Sequence, residues 1–489
     1  MARTDRGVVE GTVVGRTLAF KGIPYAAAPM RFRAPVAPAC WNTVKNASTY
    51  GQRCVQLDPD GHPEGDEDCL TINVWTPVER TGAPLPILFF VHGGADISGS
   101  TQDTWLGEPA YDGQELSERA HAIVVTANYR LGLFGFLALP SLSAESESGT
   151  SGNYGLLDLI AALRWVQTNA SAFGGDPSRV LLFGHSAGAH NTCALVASPL
   201  ATGLFSRAMM MSERCSVSPR SVVEQDGATV VSALGCSGAA DIPACLRAVP
   251  AASAVEAVPG SSGVGGAASN GYYFALNVDG YVLRDSPITA LAAGTHNHVP
   301  FIIGSTAHET STQIANLPTP ISTEQDYVDL AHELYGTDLG DRALAKYPVS
   351  DYGSPFGAAV TMTTDQRFIC QARRIARAIA GGQAESVRRY VFTYFTQHPQ
   401  LAGYGAFHGI DVSFVFRTLR PFNQEPFPTD LAVSDRMIGY LAQFAETGDV
   451  NAWPEFSETA GGLAVIGADT QQRADFAGSW CDFWDSAIY

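Results

Sequence analysis

Short apolar runs recur along this chain, spaced so that a helix fits between them, and this rhythm constrains the fold more than any other feature. The run Leu85–Val91, LPILFFV, has no polar position. A strand apolar on both faces must be covered by helices on both sides. It ends at His92-Gly93-Gly94. Ala122–Asn128 follows a helical segment near Gly113–Ala120. Gly155–Thr168 has Leu156, Leu159, Ile160, Leu163 and Val166 at helical spacing. Arg179–Phe183 is another strand, and the small residues after it suit a helix. Arg207–Met211, Val299–Gly304 and Arg388–Phe395 complete the set. Strand and helix in alternation imply the α/β class, with a large, mostly parallel central sheet flanked by helices. Ligands of such sheets sit at the carboxyl ends of the strands, so the residues just after these runs are the first candidates for chemistry.

The first part of the chain reads differently. VVEGTVVGRTLAFKGIPYA sets glycines among β-branched residues, as a small N-terminal β-meander would. Pro250–Gly271 is rich in Ala, Ser, Gly and Pro and is expected as a loop. No internal repeat is visible, so residues 1–489 are read as one domain with helical insertions. A hydrophobic fraction of 46% is enough for a large core. The formal net charge of −18 sets the surface against nucleic acid and anionic membranes. The longest apolar runs are too short to span a bilayer.

Gly184-His185-Ser186-Ala187-Gly188 has the form G-x-S-x-G. Alone the pattern is weak, but here it follows a strand and precedes a small-residue stretch, the setting that a nucleophile elbow needs. There the serine hydroxyl projects above the sheet at a helix N-terminus, where negative charge is favoured. A serine also needs a base, an orienting acid and donors for the oxyanion. Gly93 and Gly94, after the strand Leu85–Val91, are donor candidates, with Ala187 as a third. In chain order the acid and then the histidine come after the serine. Downstream lie His190, His296, His298, His308, His332, His398 and His408. By position alone His408 and His398 compete for the base, and Glu309 competes with Asp365 and Asp411 for the acid.

Longer patterns surround these residues. Glu67-Asp68-Cys69-Leu70-Thr71-Ile72-Asn73-Val74-Trp75 resembles one signature of the type-B carboxylesterase/cholinesterase family. Phe173-Gly174-Gly175-Asp176-Pro177, continued by Val180 to Gly188, resembles the other. Phe20–Ala26 and Asn153–Asp158 are similar to further segments, so the resemblance spans nearly the whole chain. It implies the α/β-hydrolase fold and a serine hydrolase that cleaves small-molecule carboxylic esters through an acyl-enzyme, without metal or cofactor. It puts the nucleophile on Ser186, the acid on Glu309 and the base on His408, within Gly405-Ala406-Phe407-His408-Gly409. It also implies disulfides Cys54–Cys69, Cys236–Cys245 and Cys370–Cys481, leaving Cys40, Cys193 and Cys215 free.

Some residues depart from the family. His185 stands where a Glu is common, and the segment between Cys54 and Cys69 has no Trp for a choline cation. Ser212-Glu213-Arg214-Cys215 replaces a usual Ser-Gly. A guanidinium there either recognises a carboxylate or forms a structural ion pair with Glu213 or another acid. His185, Trp105, Glu213 and Arg214 are therefore the pocket candidates. The alternatives to a general esterase are an esterase for anionic or bulky substrates, a choline esterase, and a non-catalytic adhesion module. The last usually loses a triad member, whereas Ser186, Glu309 and His408 are all present. The chain opens MARTDRGVVEG, without the apolar core of a signal peptide. Three disulfides favour a secreted or periplasmic protein with its leader trimmed, and a cytoplasmic location stays open. Sequons stand at Asn46 and Asn169. The oligomeric state is not readable from the sequence.

Overall fold

Leu85–Val91 is buried at every position and lies inside an eleven-stranded sheet. The computed structural model describes residues 1–79, 82–261 and 272–488. In chain order the strands are β1 (Thr12–Val14), β2 (Thr17–Pro24), β3 (Thr71–Pro77), β4 (Leu85–Val91), β5 (Ile123–Ala127) and β6 (Gly175–His185). They continue as β7 (Arg207–Met211), β8 (Phe301–Thr306), β9 (Val387–Phe392), β10 (Leu463–Ile466) and β11 (Thr470–Arg473). Their order across the sheet is β11-β10-β9-β8-β7-β6-β4-β5-β3-β2-β1. From β10 through β5 every pairing is parallel. The pairings at both edges are antiparallel.

Alternate residues of the parallel strands feed two cores. Ile87, Phe89, Val180, Leu182 and Met210 join helix α1 (Tyr154–Asn169) on one face. Leu88, Phe90, Leu181, Phe183 and Met209 face the other way, against Met437, Ile438 and Leu441. Helix α2 (Ala187–Ala197) follows β6 directly. Helices α3 (Glu324–Lys346) and α4 (Pro355–Thr364) are inserted between β8 and β9. With the C-terminal helix Gly478–Ile488 they share a third apolar cluster, around Tyr347, Met362 and Trp484. A π-helical turn, Asp365–Ile369, joins α4 to α5 (Cys370–Gly382).

The N-terminal strands form a meander that is continuous with the main sheet: β1 pairs with β2 and β2 with β3, both antiparallel, with Ala19 and Phe20 opposite Trp75 and Val74. Ala2–Arg3, Val8–Glu10 and Lys45–Asn46 form a small sheet of their own. Within Pro250–Gly271, read as loop, Ala251–Ala257 is a helix. Alanine favours helix, and Ala254 and Val255 supply its buried side. Residues 262–271 lie outside the described ones.

Disulfides join Cys54 to Cys69, Cys236 to Cys245 and Cys370 to Cys481. Cys193 and Cys215, expected free, are also bridged. Packing of α2 beside the end of β7 brings their Cα atoms to 5.8 Å, within disulfide reach. Cys40 is an exposed thiol. Asn169 is buried and donates to Asp5 and to the Trp165 carbonyl, so that sequon is closed, while Asn46 is exposed. Among the described residues no helix is long and apolar enough to cross a membrane.

A buried ion pair ties the segment after β5 to α1. Arg130 Nε and Nη2 each donate to Asp158 at 2.7 Å, and both side chains are almost wholly buried. Removing one partner strands a charge in the interior. Asp158→Ala is expected to cost about 3–5 kcal/mol of stability, read from denaturant unfolding. A cost near zero would show that Arg130 finds water or another acceptor in the variant.

Candidate active site

Ser186 sits between the last residue of β6 and the first of α2, with φ 56° and ψ −129°. A positive φ is costly for any residue but glycine, so the surrounding backbone must hold it. Its N–H donates to the Met211 carbonyl at the end of β7, at 2.9 Å. Its carbonyl accepts from Ala189 and His190 at 2.8 and 3.0 Å. The flanking glycines are sterically required. A Cβ on Gly188 would lie 2.0 Å from the Val91 carbonyl oxygen, and one on Gly184 would lie 2.2 Å from the Gly188 carbonyl oxygen. The hydroxyl-bearing residue therefore caps the N-terminus of an eleven-residue helix.

Glu309 follows β8 and is wholly buried. One carboxylate oxygen accepts the Thr306 N–H at 2.6 Å, and the other lies 2.5 Å from His408 Nδ1. His408 comes from the loop after β9. Burial works against charging its ring, yet the Glu309 charge and hydrogen bond outweigh burial and raise its pKa. The rivals are engaged elsewhere. Asp365 accepts from the Tyr347 hydroxyl at 3.0 Å, and Asp411 from the Tyr390 hydroxyl at 2.8 Å. Burial pushes each of these carboxyls up to about 7. The His398 ring packs on Phe422.

Ser186, Ala187 and His408 line one cavity of about 460 Å³. The donor loop enters it further along than expected. Gly93 lies close under Ser186, where a Cβ would come within 3.0 Å of the serine Cβ. The lining residues of that loop are Ala95 and Asp96. Asp96 accepts from Asn191 at 2.7 Å and Tyr129 at 3.2 Å, and burial raises its carboxyl to about 7. Trp105, expected in the pocket, packs on Phe407 instead, with ring centroids 5.8 Å apart. His185 does not line the cavity either. Its ring packs at a tilt against that of His408, centroids 4.5 Å apart, and Phe368 packs on the same ring at 5.4 Å. Burial, and then the His408 charge, push the His185 pKa well down, so the ring is neutral.

Glu213 and Arg214 both line the cavity. Sequence reasoning missed their companions Gln366, Arg367 and Phe368, which the π turn Asp365–Ile369 carries to the same cavity. Burial lowers the Arg367 pKa, the Arg214 charge lowers it further, and Glu213 opposes both. A second cavity of about 530 Å³ lies beside Arg53, Glu64 and Asp103 and includes neither Ser186 nor His408 in its walls.

Residues 1–484 match the carboxylesterase family. The chain belongs to that family. It is 33% identical over 477 residues to the para-nitrobenzyl esterase of Bacillus subtilis (strain 168), covering 93% of this chain and 92% of the relative. It is 32% identical over 485 residues to the fumonisin B1 esterase of Sphingopyxis macrogoltabida, covering 95% and 86%. A solved PNB esterase superposes with a TM-score of 0.83 at 30% identity, over 99% of each chain. A thermophilic PNB esterase gives 0.84 at 29%, also over 99% of each. This carboxylesterase has the α/β-hydrolase fold and is a serine hydrolase of carboxylic esters.

The pH dependence of its hydrolysis tests the electrostatics around His408. As the base that the sequence leads one to expect, His408 must be neutral to take a proton, and Glu309 stabilises the charged ring. So kcat/KM is expected to rise with pH through a midpoint above 6.5. His185→Glu sets a negative charge against the same ring and is expected to raise that midpoint by about one unit. An unmoved midpoint would show that His408 does not feel position 185.

Proposed function

We propose that Ser186 is the nucleophile of this esterase, His408 its general base and acid, and Glu309 the carboxylate that orients His408. The observation that carries this is the 2.5 Å contact of Glu309 with His408 Nδ1, in the wall of the cavity that holds Ser186. With Nδ1 engaged by the carboxylate, Nε2 is the nitrogen left to take the serine proton. His408 takes the proton as Ser186 Oγ attacks the ester carbonyl. The backbone N–H groups of Gly93, Gly94 and Ala187 receive the oxyanion, helped by the N-terminus of α2. His408 then protonates the leaving alcohol, and water repeats the cycle on the acyl-enzyme. His185 shields the far side of His408, and Glu213 and Arg214 border the substrate.

The substrate is a small-molecule ester with room for a sizeable group, as the cavity volume and the named substrates of the relatives suggest. Residues 1–489 act as one catalytic domain, since the main sheet draws strands from Thr12 through Arg473. Four disulfides support work in an oxidising compartment, secreted or periplasmic.

The test is hydrolysis of p-nitrophenyl acetate with and without a serine-directed organophosphate. Inhibition with a single adduct on Ser186 is expected. Ser186→Ala is expected to lower kcat by about 10⁴-fold or more, and Glu309→Gln by a comparable or smaller factor. An adduct on another residue, or full activity in Ser186→Ala, would sink the assignment.

A further inference from the structure

We infer that the cavity holds a second polar subsite beside Ser186, formed by Asp96 Oδ2 and His190 Nδ1, which takes a primary ammonium group of the substrate while Ser186 attacks the ester carbonyl. The inference rests on Ser186 being the nucleophile. Asp96 comes from the loop after β4 and His190 from α2. Both line the cavity that Ser186 and His408 share.

The hydrogen bonding leaves these two atoms open. Asn191 Nδ2 and the Tyr129 hydroxyl both donate to Asp96 Oδ1. Oδ2 instead faces His190 Nδ1 across 3.9 Å, too far for a hydrogen bond. On the other side of the ring, His190 Nε2 meets the Ser216 carbonyl. A carbonyl only accepts, so Nε2 carries the hydrogen. Burial lowers the His190 pKa, with Arg214 acting the same way and Glu213 against both. The neutral ring thus presents a lone pair at Nδ1. With Asp96 ionised, two acceptors face each other and no hydrogen lies between them. A group with at least two N–H donors, seated between them, satisfies both at ordinary distances. A hydroxyl has one hydrogen and satisfies only one.

The charge of this corner favours a cation. Asp96 is 4% exposed, and among the described residues no lysine or arginine is paired with it. Burial raises its carboxyl to about 7, the bonds from Asn191 and Tyr129 oppose that, and the Glu213 charge adds to it. Arg214 pairs with Glu213. A buried carboxylate without a cation is costly, and an ammonium brings both the charge and the N–H groups. The net charge of −18 draws cations to the protein as a whole.

The backbone holds the subsite in place. Ala95 and Asp96 both have positive φ, 55° and 59°. Two such residues in succession are costly and persist only where the surroundings fix them. Here the Gly132 N–H donates to the Asp96 carbonyl at 2.6 Å, and Asn191 ties the side chain to α2. Ser186 caps that helix, and His190 lies four residues along it, about 6 Å away. A short unbranched spacer therefore separates the ammonium from the ester carbonyl.

The experiment compares two substrate series at about pH 8, where Asp96 is ionised and a primary amine still charged. The acyl series is p-nitrophenyl 6-aminohexanoate, 6-hydroxyhexanoate, heptanoate and 6-(trimethylammonio)hexanoate. The alcohol series is 4-(aminomethyl)phenyl acetate with its hydroxymethyl, ethyl and trimethylammoniomethyl analogues. In at least one series the wild-type enzyme is expected to prefer the primary amine over each other member by about tenfold or more in kcat/KM. The series that responds shows which side of the ester carries the amine. That preference is expected to fall toward unity in Asp96→Asn, and by a smaller factor in His190→Leu. Asp96 is packed, so a variant there can misfold. The partly exposed His190 and one wild-type measurement keep the test decisive. In that measurement n-hexylammonium inhibits p-nitrophenyl acetate hydrolysis competitively, and more strongly than 1-hexanol or hexyltrimethylammonium. Equal kcat/KM for amine and hydroxyl in both series, with no such inhibition, would overturn the inference and leave the esterase assignment standing. A preference shared equally by the quaternary ammonium would also overturn it, since that group has no N–H to donate. So would an amine preference that survives in both variants. No hydrolysis of any of these esters would overturn the inference and the esterase assignment together.

Discussion

The backbone of Gly188 rests against the carbonyl of Val91 with no room for even a methyl group between them. That contact sets how close α2 comes to the end of β4. The rest of the site is arranged around it. The loop after β4 is brought under Ser186, and the Ser186 N–H is left to the last carbonyl of β7. β8 and β9 follow in the same parallel sheet and contribute Glu309 and His408 from their carboxyl ends. Five adjacent strands thus supply five parts of one centre. A parallel sheet allows this because all its chain ends of one kind lie along one rim.

Within that rim the protein spends its electrostatics narrowly. His408 is the histidine whose pKa is raised, because Glu309 is fully buried and committed to it. The ring packed against it, His185, has its pKa pushed well down, and the neighbouring carboxyls Asp96 and Asp411 are pushed up to about 7. Burial does this work in each case. The result is one strongly polarised hydrogen-bonded pair in surroundings that compete with it weakly.

Much of this is legible in the amino-acid sequence alone. LPILFFV could only be a strand covered on both faces, and a serine between two glycines at the end of RVLLF could only be a tight turn into a helix. The base and acid were different. His398 and His408 both follow the same strand, and spacing does not encode which one meets Glu309. The resemblance to a family separated them. Three features had no local signal. Cys193 and Cys215 meet because α2 packs beside β7, a tertiary fact absent from their 22-residue separation. Trp105 looked like a pocket aromatic but had Phe407 to pack on. Arg367 lies in an inserted helix that only the folded chain brings beside Arg214. The helix at 251–257 is hidden in the sequence because its alanines run straight into a Gly- and Ser-rich stretch.

The π turn at 365–369 sets which side chains line one wall of the cavity. A π turn holds one residue more than an α turn, so the helix beyond it is out of phase by about 100°. Length, rather than residue type, thus sets where Gln366, Arg367 and Phe368 point. Loss of one residue there restores an unbroken α-helix and rotates that wall away from Ser186, while the sheet and its catalytic rim keep their register. Cys370, bridged to the C-terminal helix just past the turn, is the fixed point about which such a rotation would have to occur. Which side chains face the cavity is in this sense stored as a phase in a helix, a quantity that a single-codon deletion can reset in one step.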